Sequence, residues 1–248
     1  MKIAILSLFP EMFDSFLNTS IIGRARQEQL IDIRPVDIRP YSLKKHKNTD
    51  DYPFGGGAGM VMMAQPIVDC VRDMRAQGYG GRCIYLSPRG KALTQQKVVE
   101  LSRQEGLILL CGHYEGVDQR AIDLVVDEEI SLGDFVLTGG ELAAMALTDA
   151  VARYVPGVLG SEESTGEESF TDGLLEYSQY TRPREFEGLE VPPVLLGGDH
   201  AKIRAWRREQ SLMTTLRVRP DLFSRAQMTP KERDAALKAA GQEETECC

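Results

Sequence analysis

Residues 107–145, LILLCGHYEGVDQRAIDLVVDEEISLGDFVLTGGELAAM, decide the fold of this chain. Leu107 to Cys111 is apolar throughout and bounded by Gly106 and Gly112, the pattern of a strand buried on both faces. Charged residues Glu115, Asp118, Arg120, Asp127, Glu128 and Glu129 follow among glycines and short apolar runs. Gly139-Gly140 then opens an almost wholly apolar helix. Glycines at this density suggest backbone brought close to a ligand.

Working outward, the same rhythm recurs on the amino-terminal side. Ile3–Phe9 is a strand candidate, and helical pieces are expected around Glu11–Leu17 and Ile21–Leu30. Ile31–Arg34 reads as a half-exposed strand ended by Pro35. Pro66 opens an amphipathic helix with Ile67, Cys70, Val71 and Met74 on one face, and Cys83–Leu86 is the next buried strand. Thr94 can cap a helix over Gln95–Gln104, leading into the Leu107 strand. Strand and helix alternating at this spacing predict a parallel sheet covered on both faces, with ligands beyond the carboxyl ends of its strands. Those ends are Phe9-Pro10, Ser87-Pro88 and Gly112-His113.

Two segments break the rhythm. Asp37–Met62 has no periodicity; it carries a basic cluster at Lys44, Lys45, His46 and Lys47, then Gly55-Gly56-Gly57-Ala58-Gly59. It reads as a loop gripping a ligand or partner, and it is not a P-loop because no Gly-Lys-Ser/Thr follows. Gly160–Ser169, GSEESTGEES, is polar and acidic and marks an interdomain linker. The expected organisation is a catalytic domain over 1–160, a linker over 161–170 and a second domain over 171–248.

The second domain is of another character. Between His200 and Arg219 stand six basic residues, Lys202, Arg204, Arg207, Arg208, Arg217 and Arg219, against Glu209 alone. In a chain of net charge −8 that surplus points to a phosphate-binding face on a helix spanning Ala201–Leu216. Thr229-Pro230-Lys231-Glu232 is a capping box opening a last helix to about Ala240, with GQEETECC frayed beyond it.

Composition narrows the class. With 42 % hydrophobic and 27 % charged residues, 248 residues suffice for one large domain and a smaller one. No eighteen-residue apolar run exists, so no membrane span is expected, and MKIAILSLFPEMF reads as a first strand, not a signal peptide. Five cysteines without CxxC spacing indicate neither a disulfide framework nor a zinc site, and a reducing cytoplasm is the simplest location. No protein metal site is expected from the three scattered histidines, although Glu115, Asp118, Asp134 and Glu141 are as compatible with metal binding as with salt bridges. The residues alone therefore point to a cofactor-using enzyme acting on a phosphate-bearing polymer, or to a nucleotide-sensing binding protein.

At GHYEGVDQR (Gly112–Arg120) and SLGDFVLTGGELAAM (Ser131–Met145) the chain closely resembles the bacterial tRNA (guanine-N1)-methyltransferases of the SPOUT superfamily. The likeness extends through DDYPFGGGAGMVM, YLSPRGK, YVPGVLG, YTRP and VPPVLLGGDHAKIRAWR, nearly the whole chain. The resemblance implies an α/β fold, a parallel sheet with a trefoil knot on its carboxyl-terminal side, followed by a small, mainly helical domain. It further implies a homodimer with shared active sites, S-adenosylmethionine as cofactor, and methylation of N1 of the guanosine immediately 3′ of the anticodon in tRNA. Carried over by position, the cofactor residues are Pro88, Gly112, Tyr114, Glu115, Gly116, Leu132, Gly133, Phe135, Leu137, Gly139 and Gly140. Arg153 matches the catalytic arginine, and Glu168 stands where relatives place an aspartate as base. Phe135 and Ala143 replace the tyrosine and proline of many relatives. Lys44, His46, His200, Lys202, Arg204, Arg207 and Arg208 are the implied RNA contacts. A magnesium requirement is implied as well, with Glu115 or nearby carboxylates as candidate ligands. Rival readings are a SPOUT enzyme with another RNA target, and an RNA-binding protein that lost catalysis through Glu168.

Overall fold

The computed structural model describes residues 1–160 and 168–246, the side chains of 241–246 excepted. The chain divides into two units, Met1–Glu162 and Glu163–Cys248.

In the first unit the elements run β1 (Lys2–Ser7), a 3-10 turn (Pro10–Phe13), α1 (Asp14–Asn18), α2 (Ser20–Gln27), β2 (Asp32–Asp37), and a short hairpin of β3 (Asp50–Asp51) and β4 (Val61–Met62). They continue as α3 (Ala64–Ala76), β5 (Arg82–Ala92), α4 (Gln95–Ser102), β6 (Gly106–Cys111), α5 (Gln119–Val125), β7 (Glu128–Ser131) and α6 (Glu141–Ala152). Five strands form one sheet in the order β2-β1-β6-β5-β7. Every pairing in it is parallel.

Central position explains the apolar runs: every residue of β6 is buried, and β1 is buried from Ile3 onward. Successive side chains leave opposite faces. Ile3 and Ile5 join Leu107, Leu109, Phe13, Leu147 and Val151 on one side of the sheet. Ala4 and Leu6 join Ile108, Leu110, Ile67, Val71 and Met74 on the other. The predicted α3 face is thus the buried one.

Two expectations need correction. Pro35 does not end the second strand but lies inside β2, opposite Ile5. β2 is the edge of the sheet, where a residue without an N–H is tolerated. The third strand does not stop at Leu86 either: β5 continues to Ala92 with a register shift between Leu86 and Lys91, both of which pair with Ile130. Ser87–Arg89 therefore leave the ladder and become available to a ligand, while Gly90 stays against the backbone of Glu129 and Ile130.

After β7 the chain doubles back to the end of β6. The Gly140 N–H donates to the Gly112 carbonyl at 2.9 Å. A Cβ on Gly140 would lie 2.7 Å from Cys111 Cα, so only glycine permits this approach.

The second unit has a small hairpin of β8 (Glu185–Phe186) and β9 (Leu189–Glu190), then α7 (His200–Val218), α8 (Pro220–Arg225) and α9 (Pro230–Glu246). Leu174, Leu212, Phe223 and Ala236 form its core. Asp199 caps α7 through bonds from the Ala201 and Lys202 amides at 3.1 and 3.2 Å. The capping box is present: Glu232 accepts from the Thr229 amide at 2.7 Å, and Thr229 Oγ1 accepts from the Glu232 amide at 3.2 Å. α9 runs on to Glu246 through the tail that reads as frayed. Most of the expected linker, 161–167, and with it Glu167, lies outside the described residues.

Candidate active site

The irregular stretch within β5 and the loops after β6 and β7 converge on one cavity of about 350 Å3. This is where a parallel sheet presents ligands, and the volume suits a small organic molecule. Pro88, Gly112, Tyr114, Glu115, Gly116, Leu132, Phe135, Leu137, Gly139 and Gly140 all line it. Gly133 does not; it makes the turn beneath, donating to Ser131 Oγ at 3.1 Å and accepting from it at 2.9 Å. Tyr85, Arg89, His113, Ser131 and Thr138 line the cavity too; they lie within the motifs that carry the resemblance but are not among the implied cofactor residues. Ala143, at the start of α6, is part of the wall.

The lining combines apolar slots with polar backbone, the chemistry that an adenosine and a methionyl chain require. Tyr114 holds a positive φ of 57°, a conformation uncommon outside glycine and typical of ligand-binding turns. Burial, and next the carboxylate of Asp50, raises its hydroxyl above the ordinary tyrosine value. His113 is held between the rings of Phe9 and Tyr114, at 4.9 and 4.8 Å. Its Nδ1 is buried without a hydrogen-bond partner, a polar group left for a ligand or a shifted side chain to satisfy.

Beneath the cavity, Ser7 Oγ donates to Glu141 Oε1 at 2.7 Å and accepts from the Phe9 amide at 2.8 Å. This buried pair ties the end of β1 to the first turn of α6. Burial, and then Glu141, pushes the neighbouring Cys111 thiol well above its ordinary value. The glycine loop returns to the same place: the Glu115 amide donates to the Met60 carbonyl at 3.0 Å and the Met62 amide to the Gly116 carbonyl at 2.9 Å.

Arg153 is half-buried at the far end of α6 and does not line the cavity. At 1.5 Å per residue, the length of α6 separates it by roughly 15–18 Å along the axis from the residues that do. Lys44 pairs with Asp51 at 2.7 Å, at the base of the glycine loop, and His46 is exposed.

In the second unit, a groove of about 220 Å3 is lined by Glu168, Glu176, Tyr177, Arg204, Arg207 and Arg208 among others. Glu168, the expected base, and the basic helix face, read separately from sequence, thus share one concavity. The Arg207 guanidinium lies 4.6 Å from the centre of the Tyr177 ring. Arg208 donates to Glu232 at 3.0 Å, to Asp172 at 2.7 Å and to the Gln227 carbonyl at 2.7 Å, so it braces α7 against its neighbours. His200 and Lys202 are exposed, and Lys202 lies 3.5 Å from Asp199.

Among the described residues no group of three or more His, Cys, Asp or Glu side chains could hold a metal ion. Glu115, Asp118, Asp134 and Glu141 thus do not come together as a protein-only magnesium site. Among the same residues no helix is long and apolar enough to cross a membrane.

Comparison with known proteins agrees with this geometry. The family described as tRNA (Guanine-1)-methyltransferase TrmD matches residues 1–225. The tRNA (guanine-N(1)-)-methyltransferase of Clostridium beijerinckii is 57 % identical over 232 residues, covering 94 % of this chain and 96 % of that protein. Those of Moorella thermoacetica and Alkaliphilus metalliredigens are 55 % and 56 % identical over 235 residues, each covering 94 % of this chain and 94 % and 95 % of theirs. The cavity, the sheet that carries it and the helical second unit are those of a knotted, S-adenosylmethionine-dependent enzyme, and the chain belongs to the tRNA (guanine-N1)-methyltransferase family.

Proposed function

We propose that this chain methylates N1 of the guanosine immediately 3′ of the anticodon in tRNA, as a homodimer whose two active sites are shared between subunits. The observation that carries the reading is the convergence on one cavity of the irregular stretch within β5 and the loops after β6 and β7. S-adenosylmethionine bound there supplies an electrophilic methyl group.

Guanine N1 bears a proton at neutral pH and is a poor nucleophile. Glu168 removes that proton as the methyl group is transferred, and Arg153 stabilises the negative charge that develops on O6. Arginine suits this role because it stays charged when desolvated. The separation of Arg153 from the cavity of its own subunit supports a shared site, in which the arginine serves the partner's cavity. Pro88, Tyr114, Phe135, Leu137 and the backbone of Gly112 and Gly140 hold and orient the cofactor. Gly133 acts by shaping the loop. Lys44, His46, His200, Lys202, Arg204 and Arg207 carry phosphate contacts, while Arg208 chiefly keeps their helix in place.

The test is incubation of the purified chain with S-adenosylmethionine and an unmodified tRNA having guanosine at the last anticodon position and next to it. Mass spectrometry then maps the product. N1-methylguanosine beside the anticodon supports the proposal. Binding of both partners without methyl transfer supports the reading as an RNA-binding protein that lost catalysis through Glu168.

A further inference from the structure

The most exposed large apolar side chain outside the cavity is Phe54, 99 % accessible, with Tyr52 beside it at 79 %. Its exposure is built into the backbone. The Gly56 amide donates to the Pro53 carbonyl at 3.2 Å, closing a tight turn with Phe54 at its first corner. Gly55 follows with φ of 89°, the conformation a type II turn requires at its second corner. No atom lies within 4 Å of where a Cβ on Gly55 or Gly56 would stand, so the turn projects freely.

The base of this turn is fixed to the cavity. A Cβ on Gly59 would stand 2.5 Å from Glu115, a lining residue, and Glu115 also bonds Met60 through its amide. Phe54 is separated from Gly59 by a span of at most roughly 18 Å of extended chain. On the other side Lys44 binds Asp51 at 2.7 Å, bringing the Lys44–Lys47 basic cluster to the foot of the same loop. Aromatic side chains held out beside cationic ones are the pattern that binds unstacked nucleic acid, bases on the rings and phosphates on the ammonium groups. A target guanine must leave the anticodon stack for its N1 edge to be reached, and side chains that unstack bases are apolar wedges.

We propose that Phe54 is a wedge: it occupies the stacking position vacated by the target guanine and so holds that base extruded. It is a positioning residue, and the inference rests on the RNA-methylation reading above.

The test uses the full-length chain and an anticodon stem-loop RNA with 2-aminopurine at the target position, alongside the parent RNA. With S-adenosylmethionine present, the wild-type chain and Phe54→Trp raise the fluorescence as the base unstacks, whereas Phe54→Ala does not. On the parent RNA, Phe54→Ala slows methyl transfer by roughly 10- to 100-fold, as for one lost base–aromatic stack, and leaves cofactor affinity unchanged. Phe54→Leu, apolar but without a ring, recovers only part of the rate. The deficit of Phe54→Ala largely disappears when the nucleotide 3′ of the target is made abasic, because less stacking then opposes extrusion. Wild-type fluorescence and turnover in Phe54→Ala would overturn the proposal, as would a deficit undiminished on abasic RNA. Dissociation of the Phe54→Ala dimer by light scattering would assign the side chain to the subunit contact instead. If the wild-type chain unstacks the base in a Phe54-dependent manner yet transfers no methyl, the wedge stands and the catalytic reading fails.

Discussion

Gly140→Ala isolates the close approach between the loop after β7 and the end of β6. The backbone of Gly140 has φ of −82°, which alanine adopts without strain. Removing a glycine by itself would even stabilise the fold by about 0.4–1 kcal/mol through the unfolded state. Space decides the sign: the added Cβ would stand 2.7 Å from Cys111 Cα and 2.9 Å from the Gly112 amide nitrogen. Both atoms are backbone at a fully buried strand end and cannot rotate aside. Overpacking of this kind costs about 1–3 kcal/mol. Stretching the Gly140-to-Gly112 hydrogen bond adds about 1 kcal/mol. The net is a loss of about 1–3.6 kcal/mol, or ~2–14 °C in Tm for a unit of this size. The displaced backbone walls the cavity, so cofactor affinity falls at least ~10-fold, the equivalent of about 1.4 kcal/mol. Urea unfolding and titration calorimetry with S-adenosylmethionine measure both quantities. Gly80→Ala is the control, since nothing lies within 4 Å of its Cβ position. If Gly140→Ala stays within about 0.5 kcal/mol of the parent and binds cofactor equally well, the steric reasoning is wrong.

Mixing Gly112→Val subunits, whose added carbons crowd the Tyr85 ring, with Arg153→Ala subunits regains methyl transfer if the arginine serves the partner's cavity; no recovery in confirmed hybrid dimers would place it in its own. Glu168→Gln lowers kcat by at least ~100-fold with cofactor affinity unchanged, whereas Glu168→Asp, which restores the family's shorter acid, retains activity. Burial pushes the thiols of Cys70 and Cys83 up to about 12 and that of Cys111 well above its ordinary value, so all three resist alkylation at pH 8 until the chain unfolds; mass mapping of the alkylated peptides checks this. Bonds from Thr229, and then Arg208, hold the Glu232 carboxyl down at about 2 against an ordinary 4.5. Its ionised form therefore stabilises the second unit fully above pH 4.5, and that contribution is lost as pH falls toward about 2. Fluorescence of Trp206, the chain's one tryptophan, follows this unit, and Glu232→Gln flattens its acid limb.

The central strands were legible because burial on both faces writes an uninterrupted apolar run, as in Leu107–Cys111. β7 and α5 were not: β7 has four residues, its first two half-buried, and its strand character comes from pairing with β5. Motif residues announced most of the cavity wall. Tyr85 and His113, although within the matched motifs, did not stand out as lining residues, because a tyrosine in apolar β5 and a histidine just after β6 look like ordinary core. The Ser7–Glu141 bond joins residues 134 apart in sequence, and no local pattern signals it. Charge counting likewise could not separate Arg208, whose donors are engaged within the protein, from the exposed His200 and Lys202.

The cavity wall supplied after β7, by Leu132 and Phe135–Gly140, has a consequence for biogenesis. A nascent chain that has emerged only as far as β7 can already assemble all five strands, yet it has no pocket, since one wall is still inside the ribosome. Ligand capture thus becomes possible only once the last crossing of the main chain is complete. A ligand that binds there consequently adds stability only to molecules in which that crossing is complete.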